Sequence, residues 1–162
     1  MKKKGFTLVE LLAVIAILAI LVIVAMPNVL GMFNDAKMNT FVTEVQKYMD
    51  TAKTAFMTEA LSKPAQDIIF TNVKTKEATP TQIAGTEELD MEGTKNYYIV
   101  MNRSGEYTKI VIWDSNFCYE KNENIEKTDV VASEVKESKP ADGITFDTDN
   151  KTVKTVQCAP AS

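Results

Sequence analysis

The opening of this chain constrains it most. Lys2-Lys3-Lys4-Gly5-Phe6-Thr7-Leu8-Val9-Glu10 is followed by an unbroken apolar run from Leu11 to Met26, and no charged side chain lies between Glu10 and Asp35. A helix needs about 20 residues to cross a hydrocarbon core about 30 Å thick, and this run is of that order. Leu, Ile and Ala dominate it, so the segment offers no polar face to water and belongs in a bilayer or in the core of an assembly. Lysines precede it and none follows closely. That bias holds the N-terminus in the cytoplasm and sends the rest of the chain outward.

Two details set the segment apart from a plain anchor. Glu10 sits at its edge, where an unpaired carboxylate is costly and usually functional. A secretory signal peptide is cut after its apolar region, at an A-x-A-like site, whereas here the region ends Val24-Ala25-Met26-Pro27. The small residue with a break-point character is Gly5, in front of the apolar region. A flexible joint at Gly5 and a Glu10 that reaches the headgroups are the plainer readings of each residue alone. Together the two features argue for a processed signal.

Lys4-Gly5-Phe6-Thr7-Leu8-Val9-Glu10-Leu11-Leu12 and the apolar residues behind it resemble the class III signal of type IV pilins and the related pseudopilins. The resemblance covers residues 2–30. It implies that a prepilin peptidase cuts between Gly5 and Phe6 on the cytoplasmic side and methylates the new amine, leaving N-methylphenylalanine at Phe6. It also implies that Glu10 is the assembly carboxylate and that Pro27 is a helix-kinking proline. The expected organisation is a leader at 1–5, a transmembrane and filament-core half-helix at 6–30, and a head at 31–162. Within the head, 31–62 is the amphipathic half-helix, 63–96 a loop, and 97–162 an antiparallel sheet with a C-terminal disulfide region.

The length suits one domain and an anchor. The chain has 18 basic and 22 acidic side chains, and loss of Lys2, Lys3 and Lys4 would leave 15 against 22, a net of −7. That balance argues against a general polyanion binder, so no specific nucleic acid is expected. There is no His, which removes the commonest general base and metal ligand. Cys118 and Cys158 are too far apart for a metal knuckle or a redox pair. In a segment outside the cytoplasm they read as a disulfide, the alternative being two buried thiols. A C-terminal disulfide is also what the resemblance implies.

From Phe6 a single helix is expected to run to about Ser62, roughly 85 Å at 1.5 Å per residue. Pro27 and Gly31 predict a kink or a locally melted turn. Beyond them Phe41, Val45, Tyr48, Met49, Ala52, Ala55, Phe56 and Ala60 recur at helical steps on one face, and Pro64 stops the helix. Ile68-Ile69-Phe70 fits a short strand or a loop anchor, and Thr71 to Thr94 reads as a charged loop. Tyr97–Met101 and Tyr107–Trp113 are rich in β-branched and aromatic residues around a turn at Ser104-Gly105, which predicts a hairpin with a central second strand. Phe117–Tyr119 is a short strand, Glu120–Lys127 a polar loop and Val130–Val135 another strand. Ile144–Asp147 and Thr152–Val156 alternate around Asp149-Asn150 as a second hairpin. The fold class is therefore α+β: a long N-terminal helix packed on an antiparallel sheet of about four strands, the layout of a type IV pilin.

Chemistry is sparse. Asp147-Thr148-Asp149-Asn150 could offer oxygens to Ca²⁺ but lacks the twelve-residue loop pattern and is ordinary turn chemistry. No phosphate loop, His-based triad or paired thiol motif occurs, so no enzyme, metal site or cofactor is expected. The expected function is the structural subunit of a type IV pilus-like filament. As a precursor it would be a single-pass membrane protein, and when mature part of an extracellular filament. Its partners would be copies of itself, minor pilins, prepilin peptidase, an inner-membrane assembly platform and, before assembly, the bilayer. The alternatives are a pseudopilin of type II secretion or competence machinery, and a monomeric membrane-anchored adhesin.

Overall fold

The computed structural model describes residues 7–62, 66–93, 95–137, 144–146 and 153–158. The chain falls into two compact units, Met1–Lys37 and Met38–Ser162.

Helix α1 spans Leu8–Ser62. In the first unit every residue from Thr7 to Lys37 is exposed. Pro27 removes the N–H that would meet the Ile23 carbonyl, yet the residues on both sides stay helical through Gly31. The locally melted turn expected there is thus absent. One missing bond leaves the ladder intact on either side.

In the second unit α1 becomes one-sided. Phe41, Val45, Tyr48, Met49, Ala52 and Phe56 are buried, the three- and four-residue steps that bring side chains to one face. That stripe lies on a six-stranded sheet built from β1 (Ile68–Thr71), β2 (Thr86–Glu87), β3 (Asn96–Met101), β4 (Tyr107–Trp113), β5 (Cys118–Ile125) and β6 (Val135–Lys136). The strand order is β2-β1-β3-β4-β5-β6. β1 and β2 pair in parallel and the other neighbours antiparallel. The sheet is therefore mixed, and larger than the four antiparallel strands expected. Strands β7 (Ile144–Phe146) and β8 (Val153–Val156) form a separate antiparallel pair. The tip between them, with Asp147 to Asn150, lies outside the described residues.

Side-chain alternation splits the sheet's apolar residues into two cores. Tyr97, Ile99, Met101, Ile110, Ile112 and Tyr119 pack with the α1 stripe. Val111, Trp113 and Cys118 instead pack with Val73, Ile83, Val156 and Cys158. β4 supplies residues to both, which makes it the central strand its composition predicts. Cys118 and Cys158 are joined by a disulfide with the Cα atoms 5.7 Å apart, tying the residues just past β8 to the first residue of β5.

Two local expectations are corrected. Glu120 to Ile125 is strand rather than polar loop, because its outward charges find partners on the sheet: Lys109 stands 4.0 Å from Glu120. β5 carries one extra residue against β4 where the register passes from Lys109↔Asn122 to Tyr107↔Ile125, and Glu123 there takes φ 64°, the left-handed conformation seen in G1-type bulges. Val130 to Val135 is not a strand over its length. It follows a 3₁₀ turn at Lys127–Asp129 and holds another at Ala132–Glu134, with strand only from Val135. Asp129 accepts the Glu126 N–H at 2.9 Å, so a side chain competes there for the backbone donor a ladder would use.

Polar ties join helix and sheet inside this unit. Lys95 Nζ lies 2.9 Å from Glu44 and 2.6 Å from Asp114, and its side chain is only 14% exposed. Burial works against its charge, but hydrogen bonds to Asp114 and Glu44 outweigh it and raise its pKa. Burial likewise opposes the Asp114 carboxylate. Lys95 and the N–H groups of Asn116 and Phe117 overcome that and hold its pKa below the usual value. Phe41, which stacks near Phe117 with centroids 5.6 Å apart, also has the Lys95 ammonium over its ring.

Candidate functional site

The chemistry-bearing end of the chain is the start of α1. The Thr7 carbonyl accepts the first helical bond, from Leu11 N–H at 3.2 Å, so Thr7 is the N-cap and Glu10 the third residue of the helix. The Thr7 amide donates to Glu10 Oε2 at 2.8 Å, and so does the Thr7 hydroxyl, also at 2.8 Å. In return the Glu10 N–H reaches Thr7 Oγ1 at 3.3 Å. Thr-x-x-Glu is the capping-box pattern, in which two backbone donors without helical partners are satisfied reciprocally. The carboxylate also lies at the positive end of the helix dipole.

Behind this box the surface is apolar from Leu11 to Met26. Every large apolar side chain from Leu8 to Phe33 is at least 44% exposed. The helix contains a window of mean hydropathy 3.2 with none of it buried, long and apolar enough to cross a membrane. An exposed apolar surface of this extent requires lipid or protein against it.

The structure places Glu10 and Pro27 on this one helix and joins Cys118 to Cys158 in the other unit. Gly5 and Phe6 lie outside the described residues. Sequence reasoning missed Thr7, although the Thr7-Leu8-Val9-Glu10 spacing carries the signal. It also missed the Lys95, Glu44 and Asp114 cluster, whose members are far apart in the chain.

The family model described as the prokaryotic N-terminal methylation motif matches residues 1–26. Residues 1–26 are the class III signal of type IV pilins. The motif indicates a pilin- or pseudopilin-like prepilin, and a motif of this type implies processing by prepilin peptidase and assembly into filaments. With one apolar N-terminal helix it fits a membrane-anchored precursor. Such proteins are structural and usually not enzymes. The α+β layout, a long helix on a mixed sheet, is consistent with the type IV pilin fold. No curated protein and no solved structure matches the chain.

Proposed function

We propose that this chain is a pilin, the structural subunit of a type IV pilus-like surface filament. The leader 1–5 is removed between Gly5 and Phe6, the new Phe6 amine is methylated, and residues 6–30 pass from the bilayer into the filament core. Residues 31–162 form the head, which faces outward on the cell surface. The observation that carries this reading is the helix from Leu8 to Phe33, whose large apolar side chains are all exposed, with a single carboxylate, Glu10, at its start. Lipid satisfies such a surface in the precursor and copies of the same helix satisfy it in a filament, so the exchange costs little. A monomeric anchored adhesin would use the carboxylate only to cap the helix.

Glu10 gives the assembly its register. After cleavage the chain carries a new amine at Phe6, four residues before Glu10 in sequence, and two unpaired charges in an apolar core are unstable relative to a pair. The pair forms within one subunit or between neighbours, alongside minor pilins and the inner-membrane assembly platform. Mass spectrometry of the assembled chain should begin at methylated Phe6, and Gly5→Leu should leave an uncut membrane-bound precursor. Glu10→Gln, in a strain without the wild-type copy, should insert and be cleaved normally while surface filaments fall sharply. Chains that retain Lys2 to Lys4 in filaments, or normal filaments from Glu10→Gln, would refute the reading.

A further inference from the structure

If Glu10 is the assembly carboxylate, something must hold it before its partner amine arrives. A carboxylate near an apolar segment without donors is unstable, and a free side chain of that length samples several rotamers that a docking neighbour would have to select among. The structure supplies the holder. Both the amide and the hydroxyl of Thr7 fall on the same oxygen, Oε2, and Oε1 takes neither. The Glu10 amide closes the ring through Thr7 Oγ1. Two donors on one oxygen fix the torsions of the Glu10 side chain against the first helical turn.

We infer that Thr7 is the positioning residue for Glu10: its hydroxyl and amide hold the carboxylate in one rotamer from the inserted precursor to the assembled filament, with Oε1 presented to the incoming amine. This rests on the assembly role proposed above for Glu10 and goes beyond it by assigning the group that acts through it. Every atom of the box lies on the far side of the Gly5–Phe6 bond from the leader, so cleavage leaves it unbroken. Methylation of Phe6 changes none of its donors. The amine therefore adds a third donor to a carboxylate that already has two, rather than displacing one.

The geometry sets which side chains can serve. Ser keeps the hydroxyl at the same place. Val keeps the shape of Thr and the amide but loses the hydroxyl, so the Glu10 amide loses its acceptor and Oε2 one of its donors. Loss of a capping side chain of this kind changes a helix-linked equilibrium by on the order of two- to thirtyfold.

The test is a four-strain comparison of the full chain in cells lacking the wild-type copy: Thr7→Val, Thr7→Ser, Glu10→Gln, and Thr7→Val with Glu10→Gln. Membrane insertion, leader removal and surface filament yield are measured separately, because Thr7 is close to the cleavage site. Yield is normalised to the cleaved pool. Thr7→Val should lower it by that two- to thirtyfold, and Thr7→Ser should restore it. The double variant should match Glu10→Gln alone, since a residue that acts through another adds nothing once the other is gone. Normal yield from Thr7→Val, no rescue by Ser, or a further loss in the double variant would overturn the positioning role while leaving the assembly role of Glu10 standing. Normal yield from Glu10→Gln would overturn the assembly reading itself.

Discussion

Tyr107, at the start of β4, donates its hydroxyl to the Met49 carbonyl of α1 at 2.6 Å. A helical carbonyl already engaged in the ladder thus gains a second donor, and the helix is tied to the sheet midway along its buried stripe. Burial, with the Asp50 charge nearby, pushes the Tyr107 pKa up to about 12. Its ordinary value is 10.0, so the neutral hydroxyl stabilises the fold fully below that pH, and the contribution is lost as the pH rises through about 12. Tyr107→Phe should cost about 1 kcal/mol in urea denaturation at neutral pH. In an ultraviolet titration of the folded protein, Tyr107 and Tyr97, whose pKa burial likewise pushes to about 12, should ionise only at that alkaline end.

The Lys95 cluster gives a second pH signature. The folded Asp114 pKa lies below its ordinary 3.8, so its contribution is complete above 3.8 and disappears as the pH falls through the folded value. The folded Lys95 pKa lies above 10.5, so its contribution is complete below 10.5 and disappears as the pH rises through the folded value. Lys95→Met should therefore destabilise by a constant amount between these limits, about 1–2 kcal/mol, between the worth of surface and buried pairs. The difference from wild type should shrink once the pH drops below 3.8. A set of urea melts across pH measures both.

Gly105 occupies the β3–β4 turn with φ +77°, and a Cβ there would stand 2.9 Å from the Phe56 ring. Lys53 also donates to its carbonyl. Gly105→Ala should destabilise by about 1–3 kcal/mol, through left-handed backbone strain and displacement of Phe56. Thermal melts of the variant and of a neighbouring control, Ser104→Ala, separate this from a general turn effect.

What could be read in the sequence follows from how local each signal is. The β3–β4 hairpin was legible because Tyr97–Met101 and Tyr107–Trp113 carry their own β-branched and aromatic pattern. The buried face of α1 was legible because Phe41, Val45, Tyr48, Met49, Ala52 and Phe56 repeat at helical steps. The start of β5 at Cys118-Tyr119 was legible too, but not its continuation, since Glu120-Lys121-Asn122-Glu123-Asn124 has no apolar alternation and owes its strand form to pairing with β4. β2, with only Thr86 and Glu87, exists because β1 lies beside it. At the N-terminus, Glu10 stood out as a lone charge beside an apolar run. Its partner Thr7 is an ordinary residue until the helix start is placed.

The disulfide spans 40 residues. On a chain-entropy model, closing such a loop stabilises by about 4 kcal/mol, so Cys118→Ser with Cys158→Ser should lower the unfolding free energy by an amount of that order. Trp113 packs in the same cluster as the two cysteines and is 4% exposed. Its fluorescence should shift to the red on reduction in mild denaturant, before the signal of the α1 core changes.

The two outermost strands of the six-stranded sheet, β2 and β6, are each two residues long. A free strand edge is a template for the next chain, and long bare edges invite stacking into amyloid. Where β5 runs on past its two residues paired with β6, Glu120, Lys121 and Glu123 place charge on the edge, which also discourages such growth. A protein whose proposed working life is spent crowded against copies of itself thus offers them a poor seam for fusing sheet to sheet. Ordered growth is left to the helix, and entanglement of the heads is disfavoured by the fold itself.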